Sequence, residues 1–226
     1  AGSAGAVLAT RLSENKKFTV LLLEAGSNDN HPWLHIPIGV GKILTDPRFI
    51  WNYQTEAEKE LNERKIFWPR GKVLGGSSSI NGMLYVRGAP HRYDKWRDGN
   101  NPGWGYEELL PYFRKLEDRP ESDHNDRGVG GPIKISSGNY QDKLSNAFFQ
   151  ACVDVGAKSN EDYNINIDGV GWLQYSIKNG LRSSTSSGHL KTAKKNKNLK
   201  IITKAEVEKI IFDGKKAIGV KYNKDN

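Results

Sequence analysis

The stretch that decides the fold is RGKVLGGSSSINGMLYVRG, residues Arg70 to Gly88. It places a glycine pair, three serines and an asparagine between two apolar flanks, and such a segment can lay backbone amides along a flat ligand. Gly75 and Gly76 would remove side chains where the backbone must pass close to that ligand. Ser77 could donate to a phosphate, and Asn81 could offer a donor and an acceptor to a ring edge. A plain glycine–serine loop is the alternative interpretation.

The first residues carry part of a second glycine motif. AGSAG at residues 1–5 fits the last part of a G-x-G-x-x-G turn, whose first glycine and preceding strand we expect upstream. A helix is predicted over Ala6 to Leu12, and the apolar run from Lys17 to Leu23 is typical of a buried parallel strand. Glu24 ends that strand about 20 residues after the turn, where an acidic side chain accepts hydrogen bonds from a ribose. Alone, this motif is equally compatible with a tight strand-to-helix turn.

Two helices and a long loop are predicted farther along. Residues from Gly26 to about Arg64 are rich in Asn, Pro, Gly and Trp without a sustained period, which predicts a surface excursion and covering loop. A helix at Tyr106 to Glu117 is interrupted by Pro111, which would kink it or start its second part. A helix at Asp142 to Val155 has apolar residues at helical spacing, which predicts a core-facing side. Those residues are Leu144, Ala147, Phe148, Ala151, Cys152 and Val155.

The C-terminal part is predicted to be mainly strand. Leu199 to Ile202, Val207 to Phe212 and Ala217 to Tyr222 are apolar runs of strand length. The last two are joined around Asp213-Gly214, a pair that predicts a hairpin turn.

Composition narrows the function classes. The net charge of +8 could reflect a nucleic acid, an anionic surface or an anionic ligand. The densest basic run, Lys191 to Lys200, has no interleaved aromatic residues, so we interpret it as a solvated face and expect no nucleic-acid partner. Cys152 is the single cysteine, which excludes an internal disulfide and a Cys-based zinc site. A reducing compartment fits best, and we expect the cytoplasm. No stretch has the apolar length of a membrane span.

The segment from Gly71 through Asp94 resembles the first signature of the glucose–methanol–choline (GMC) oxidoreductases. The resemblance is greatest with the bacterial choline-dehydrogenase-like branch and covers nearly the whole chain. It continues through LLLEAG (Leu21 to Gly26), NPGWGYEELLPYFRKLED (Asn101 to Asp118), GVGGPI (Gly128 to Ile133), RSSTSSGHL (Arg182 to Leu190) and NLKIITKAEVEKIIFDGKKAIGVKY (Asn198 to Tyr222).

This resemblance implies an α/β fold class. It implies a Rossmann-type FAD-binding domain, incomplete because its first strand lies upstream, with the start of an α+β substrate or cap domain. Residues 1–110 would form the FAD-binding region, with the covering loop at about 27–64 and the signature at 71–94. Residues 111–185 would begin the substrate-side domain, and residues 186–226 would return to the FAD-binding domain.

The resemblance also implies which residues contact FAD. The pyrophosphate would lie beside Gly2, Ser3 and Gly5, the adenosine ribose beside Glu24, and the adenine beside the backbone of Val207. The flavin and its diphosphate would be lined by Gly76, Ser77, Asn81, Gly82 and Met83. Further candidate contacts are Arg70, Val73 and Leu84.

The implied activity is flavin-dependent oxidation of a CH–OH donor, choline-like or another primary alcohol, to an aldehyde. The electron acceptor is left open. Some relatives tether the flavin through a histidine just before the signature asparagine, whereas this chain has Ile80 there, so we expect non-covalent FAD. Family members are more than twice as long and carry the active-site histidine near their C-terminus. We therefore expect a fragment that holds no catalytic residue and is inactive alone.

Two other classes are weighed against this interpretation. A Rossmann protein using a nicotinamide cofactor would leave GGSSSIN unexplained, and a basic nucleic-acid-binding module would leave the glycine turn and Glu24 unexplained. None of the five histidines is assigned a catalytic or metal-binding role. His31 and His35 are four residues apart, but Pro32 and Pro37 make a helical metal pair a poor interpretation.

Overall fold

The computed structural model describes residues 1–122, 125–138 and 140–224. The helices are α1 (Ser3–Glu14), α2 (Pro32–His35), α3 (Val40–Ile43), α4 (Pro90–Asp98), α5 (Tyr106–Leu116), α6 (Lys143–Asp154) and α7 (Lys191–Ala193). Single 3₁₀ turns occur at Pro37–Gly39, Lys59–Leu61 and Gly76–Ser79, and a π-helical turn occurs at Ser186–Leu190. The strands are β1 (Val20–Leu23), β2 (Ile50–Gln54), β3 (Phe67–Gly71), β4 (Glu117–Asp118), β5 (Ile133–Lys134), β6 (Ser136–Ser137), β7 (Gln174–Tyr175), β8 (Ile177–Lys178), β9 (Leu181–Arg182), β10 (Leu199–Ile202), β11 (Ala205–Asp213) and β12 (Lys216–Lys224).

The chain forms two compact units. The first comprises Ala1–Gly82 and Gly180–Asn226, and the second comprises Met83–Asn179. The functional domain boundaries that we place after residues 110 and 185 stay a prediction.

The first unit is built on a parallel pair of strands. β1 pairs with β10 in register Val20↔Leu199 to Leu23↔Ile202. α1 covers this pair, and a buried apolar cluster results from Ala6, Ala9, Leu22, Leu74 and Leu190. The predicted helix and the parallel pairing of the strand are thus confirmed, although the strand is shorter than the apolar run and is not buried on both faces as predicted. Leu21 is 50 % exposed, because successive side chains of a strand point to opposite faces and only one face is covered.

Residues 26–64 are more structured than the sequence pattern indicates. α2, α3 and β2 lie in this segment, and β2 pairs antiparallel with β3. Four of its apolar side chains form a core cluster with Val73 and Ile80, which belong to the stretch from Arg70 to Gly88. The four are Leu34, Ile43, Phe49 and Ile50. The expectation that this segment lacks regular elements is therefore wrong, and its role as a covering loop stays a prediction. Helices of four residues are too short to show a hydrophobic period, which is why the pattern missed them.

The C-terminal hairpin is confirmed. β11 and β12 pair antiparallel, ending in the pair Asp213↔Lys216. Gly214 has a φ of +56°, the left-handed conformation that a tight hairpin turn requires and that glycine adopts without a steric penalty.

The second unit contains α4, α5 and α6 with short strand pairs. α5 is one continuous helix although Pro111 lies inside it, so Pro111 does not start a second helix. Aromatic contacts hold both sides of that proline: the rings of Tyr106 and Phe113 lie 6.1 Å and 5.6 Å from the ring of Tyr93. Such packing can outweigh the hydrogen bond that proline removes from a helix.

The interior of the second unit holds an ionic cluster centred on Glu117, which is fully buried. Arg87 Nη2 donates to Glu117 Oε1 at 2.6 Å, and Arg127 Nε donates to the same oxygen at 2.8 Å. Arg127 Nη1 also donates to Asp162 Oδ2 at 2.5 Å and to Gln174 Oε1 at 2.9 Å. These charges are stabilised by one another, because buried ions require pairing and hydrogen bonds to offset lost hydration.

The predicted core face of α6 is wrong. Leu144, Phe148 and Val155 are 79 %, 68 % and 86 % exposed, and no residue of α6 is buried in the described chain. Cys152, predicted to be core, is only half-buried. The helix instead turns Phe149 inward, where its ring stacks on Trp172 at 5.5 Å. The apolar stripe is wide enough for two orientations, and the pattern alone does not select between them.

Candidate cofactor site

Glu24 lies at the carboxyl end of the parallel pair. Its backbone N–H donates to Ile202 O at 2.9 Å, and its carbonyl accepts from the N–H of Ala205 at 2.8 Å. The residue is buried, and Oε1 accepts from the N–H of Gly26 at 2.9 Å. The carboxylate is therefore held at the sheet edge where open α/β sheets bind their ligands.

The N-terminus of α1 lies in the same unit. Gly2 is the N-cap, and its carbonyl accepts from the N–H of Ala6 at 2.9 Å. A Cβ atom on Gly2 would have no protein atom within 4 Å, whereas one on Gly5 would touch Leu22 at 3.8 Å. Open space thus adjoins the first turn, where backbone N–H groups and the helix dipole favour an anion. Ser3 is exposed at this turn.

The two glycine motifs meet in space. A Cβ on Gly76 would lie 2.6 Å from Cα of Gly2, and the φ of Gly76 is +56°. Gly75, with a φ of +88°, donates its N–H to the carbonyl of Ala1 at 2.9 Å. A Cβ on Gly71 would lie 2.2 Å from the carbonyl carbon of Gly76. Only glycine permits this approach of one backbone to another.

Three serines brace the turn at Gly76–Ser79. The hydroxyl of Ser77 accepts from the N–H of Gly71 at 3.1 Å, a bond that leaves its proton to be donated elsewhere. The hydroxyl of Ser78 accepts from the N–H of Thr185 at 3.1 Å, and that of Ser79 donates to the carbonyl of Leu74 at 2.8 Å. The turn is thus fixed by hydrogen bonds to the residues before it, Gly71 and Leu74, and to Thr185 farther along the chain.

Asn81 and Gly82 follow on the exposed side of the turn. Ile80, between the serines and Asn81, is 2 % exposed and belongs to the core cluster with Leu34. The inward position of Ile80 and the outward position of Asn81 set the direction in which the signature faces.

The remaining predicted contacts are more scattered. Arg70 is exposed with its guanidinium 4.9 Å from the ring of Trp68. The side chain of Val73 is fully buried, so that only its backbone could reach a ligand. Val207 is 47 % exposed on β11. Met83 and Leu84 belong to the second unit, where Met83 has a φ of +64° and its carbonyl accepts from the N–H of Ser176 at 2.8 Å.

The sequence profile that describes GMC oxidoreductases matches residues 1–226. The chain belongs to the GMC oxidoreductase family.

Several characterised proteins are similar to this GMC chain. It is 41 % identical over 225 residues to the oxygen-dependent choline dehydrogenase of Vibrio vulnificus, covering 98 % of this chain and 40 % of that protein. It is 40 % identical over 228 residues to the alcohol dehydrogenase [acceptor] of Pseudomonas putida, covering 100 % of this chain and 41 % of that protein. It is 40 % identical over 233 residues to the mitochondrial choline dehydrogenase of Homo sapiens, covering 100 % of this chain and 39 % of that protein. The chain therefore spans about two fifths of the length of these relatives.

Solved structures show that the GMC fold extends over the whole chain. The pyridoxine 4-oxidase of Mesorbium loti superimposes with a TM-score of 0.93 at 32 % identity, covering 99 % of this chain and 44 % of that one. An FAD-dependent oxidoreductase of Chaetomium thermophilum superimposes with a TM-score of 0.87 at 32 % identity, covering 99 % and 40 %. The α/β fold of the GMC FAD-binding part is thereby confirmed.

Sequence reasoning did not single out Arg182, which contacts the predicted flavin contact Asn81 in this GMC chain. Its Nη1 donates to both Asn81 O and Asn81 Oδ1 at 2.7 Å, and its Nε donates to the carbonyl of Leu34 at 2.8 Å. Arg182 is 4 % exposed, and burial lowers its pKa to about 10. The only sequence signal was an arginine at the start of the hydroxyl-rich run RSSTSSGHL.

Three of the five histidines, His31, His35 and His189, have surroundings that indicate a structural role. Nδ1 of His31 accepts from the N–H of Trp33 at 3.3 Å at the start of α2, and His35 Nε2 lies 2.5 Å from the carbonyl oxygen of Asp29. His189 is buried in the π-helical turn, and desolvation, followed by the charge of Arg11, lowers its pKa. His124 lies outside the described residues. Within the described ranges, no group of three or more His, Cys, Asp or Glu side chains is arranged to hold a metal ion.

No helix in the described part of this GMC chain is long and apolar enough to cross a membrane.

Proposed function

We propose that residues 1–226 are the FAD-binding part of an enzyme that oxidises a CH–OH donor, choline-like or another primary alcohol, to an aldehyde. The observation that carries this proposal is the contact between Gly2 and Gly76, next to Ala1, whose amino group lies 2.8 Å from Oε2 of the buried Glu24. It joins a helix N-terminus, a glycine-rich turn and an acidic strand end, the three features that a dinucleotide needs. The relatives named as choline and alcohol dehydrogenases support the substrate class.

The residues present fit FAD. A Cβ on Gly2 would project into open space next to the first turn of α1, which gives a diphosphate room to approach the N–H groups. Glu24, held through Gly26, can accept from ribose hydroxyls. We assign the pyrophosphate to Gly2, Ser3 and Gly5 and the adenine to the backbone of Val207.

The flavin side is assigned to the second glycine motif and the residues after it. Exposed Asn81 and Gly82 can approach the ring, with Gly76 and Ser77 beside them. Met83 and Leu84 continue this segment and, with Arg70 and Val73, are proposed on the family resemblance. FAD, when bound, would accept the hydride of the carbinol carbon. The residues of this chain bind and orient it, and none of them is assigned a proton transfer.

We propose that the flavin is held without a covalent bond. Ile80 occupies the position before Asn81, and its side chain is packed into the core cluster with Leu34 and Val73. An aliphatic side chain offers no nucleophile for a flavin bond. Acid precipitation of the complete gene product should release the flavin into the supernatant, and flavin remaining in the pellet would contradict this part of the proposal.

The reaction is proposed to take place in the cytoplasm, a reducing compartment that suits a chain with one cysteine. The electron acceptor stays open, because oxygen, a quinone and an artificial dye are all compatible with one FAD site.

The deciding experiment is an anaerobic visible spectrum of the complete gene product before and after adding choline and then a simple primary alcohol. Bleaching of a flavin spectrum by either compound is the expected result. A flavin spectrum that neither compound changes would overturn the substrate class and keep the cofactor. A well-folded preparation without flavin would overturn the proposal as a whole.

A further inference from the structure

Arg182 has surroundings that folding alone does not explain. It is 4 % exposed, yet no carboxylate lies within salt-bridge distance of it among the described residues. Its Nη2 is buried and has no hydrogen-bond partner in the described chain. A buried cation without a counter-charge recovers its lost hydration only in part through hydrogen bonds to neutral oxygens, so stability alone does not account for this arginine.

The contacts of Arg182 concentrate on one residue. Nη1 donates to the main-chain carbonyl and to the side-chain Oδ1 of Asn81, both at 2.7 Å. Holding both oxygens from one nitrogen fixes the backbone and the amide of Asn81 together. A weaker bond at 3.3 Å reaches the carbonyl of Ser78, on the same turn.

The guanidinium of Arg182 is also bonded to the core of the same unit. Nε donates to the carbonyl of Leu34 at 2.8 Å, and Leu34 is 1 % exposed in the core cluster. Arg182 therefore connects a rigid part of the core to an exposed asparagine. Planar guanidinium geometry suits this connection, because its nitrogens point in fixed directions that a lysine cannot reproduce.

We propose that Arg182 is a positioning residue that orients Asn81 toward the flavin and places a permanent positive charge behind it. This inference rests on the proposed function, since it takes Asn81 to be a flavin contact. The guanidinium remains protonated at neutral pH, because its lowered pKa of about 10 is still well above 7. A fixed cation near a flavin favours its reduced, more negative form and so raises its potential.

The test uses the complete gene product purified with FAD, in four forms: wild type, Arg182→Met, Asn81→Ala and the double variant. Arg182→Met keeps an apolar stem and removes both the charge and the bonds to Asn81. We expect FAD to bind roughly tenfold more weakly, as for loss of one charge-assisted hydrogen bond, with a shifted visible spectrum and a lowered midpoint potential. In the Asn81→Ala background the effect of Arg182→Met on FAD affinity should largely vanish, because residues that act through one another are not additive.

Two further variants keep the test decisive. Arg182→Lys retains the charge and cannot span Leu34 and Asn81 in the same geometry. The midpoint potential of the flavin in Arg182→Lys should stay near the wild-type value, whereas its affinity for FAD should fall about as far as in Arg182→Met. Arg182→Lys is used in place of Arg182→Met if the latter does not fold. Arg11→Met removes an arginine that is paired with Glu14 on the exposed side of the same unit, and it should change neither quantity.

The two proposals fail in different ways. Wild type without flavin would overturn the proposed function. Wild type with flavin, together with unchanged FAD affinity and potential in folded Arg182→Met or Arg182→Lys, would overturn the role of Arg182 alone. Additive effects of Arg182→Met and Asn81→Ala on affinity would also overturn it, since they would mean that Arg182 acts independently of Asn81.

Discussion

Replacing Gly76 with alanine tests the contact on which the FAD site depends. The new Cβ would lie 2.6 Å from Cα of Gly2, whereas carbon atoms in contact are about 3.5–4.0 Å apart. One of the two backbones must therefore retreat by about 1 Å. The φ of +56° adds a second cost, because L-residues in the left-handed region are less stable by about 1–2 kcal/mol.

The expected loss of free energy is the sum of the steric clash and the backbone strain. Overpacking costs about 1–3 kcal/mol, so Gly76→Ala should lose about 2–5 kcal/mol in total, divided between folding and FAD binding. If the whole loss fell on binding, the dissociation constant for FAD would increase by a factor between roughly 30 and several thousand.

The assay is FAD titration of the deflavinated complete gene product, followed by flavin fluorescence, with a thermal melt of the same samples. Gly41→Ala is the matched control, since Gly41 is exposed in α3 and a Cβ there would have no atom within 4 Å. Gly41→Ala should leave both quantities unchanged or slightly raise the melting temperature, because alanine favours a helix. If Gly76→Ala bound FAD with wild-type affinity and melted at the wild-type temperature, the reasoning from the Gly2 contact would be refuted.

Three other substitutions give further predictions. Gly2→Ala should weaken FAD binding about tenfold, because the new methyl group would occupy the space assigned to the diphosphate. The apoprotein should lose only about 1 kcal/mol of stability from the helix cap, since a Cβ on Gly2 would have no protein atom within 4 Å. Wild-type affinity for FAD in titration would argue against a diphosphate there. Glu117→Gln should destabilise the second unit by about 3–5 kcal/mol, because it leaves the buried charge of Arg87 without its carboxylate partner. Limited proteolysis should then cut within residues 83–179 first, and wild-type resistance would contradict this. The pKa of His189 lies below its usual 6.5, mainly through desolvation, so the unfolded chain binds the proton more readily and stability falls as the pH drops below about 6.5. His189→Phe should flatten that acid-side decline in melts between about pH 7 and 5, and an unchanged slope would assign the decline to other groups.

The sequence predicted the parts of the site that depend on local chemistry. Glycine is required wherever backbones touch, so GGSSS and the Gly2 turn are recognisable from their residue types alone. Glu24 could be placed because the apolar run before it has strand length and Glu24 is the charged residue that ends the run. That Gly2 and Gly76 touch each other is a long-range fact, and neither motif alone predicts it.

The errors and omissions have physical causes. α2 and α3 are four residues each, shorter than any window in which a period can be recognised. The orientation of α6 depends on which of two apolar sides meets Trp172, and that choice is made by tertiary contact. Arg182 was missed because residue type alone does not distinguish a buried arginine from an exposed one, and most arginines are exposed.

The ionic cluster around Glu117 has a consequence for how this segment can change over evolution. Removing Glu117 leaves the buried charge of Arg87 unpaired at a cost of about 3–5 kcal/mol, a large part of the roughly 5–15 kcal/mol that keeps a protein folded. Replacing the whole set by apolar residues of equal volume is often neutral or stabilising. The order of substitution therefore matters, because losing Glu117 before Arg87 is the costly route, and Glu117 should be retained wherever Arg87 is retained among descendants of this chain.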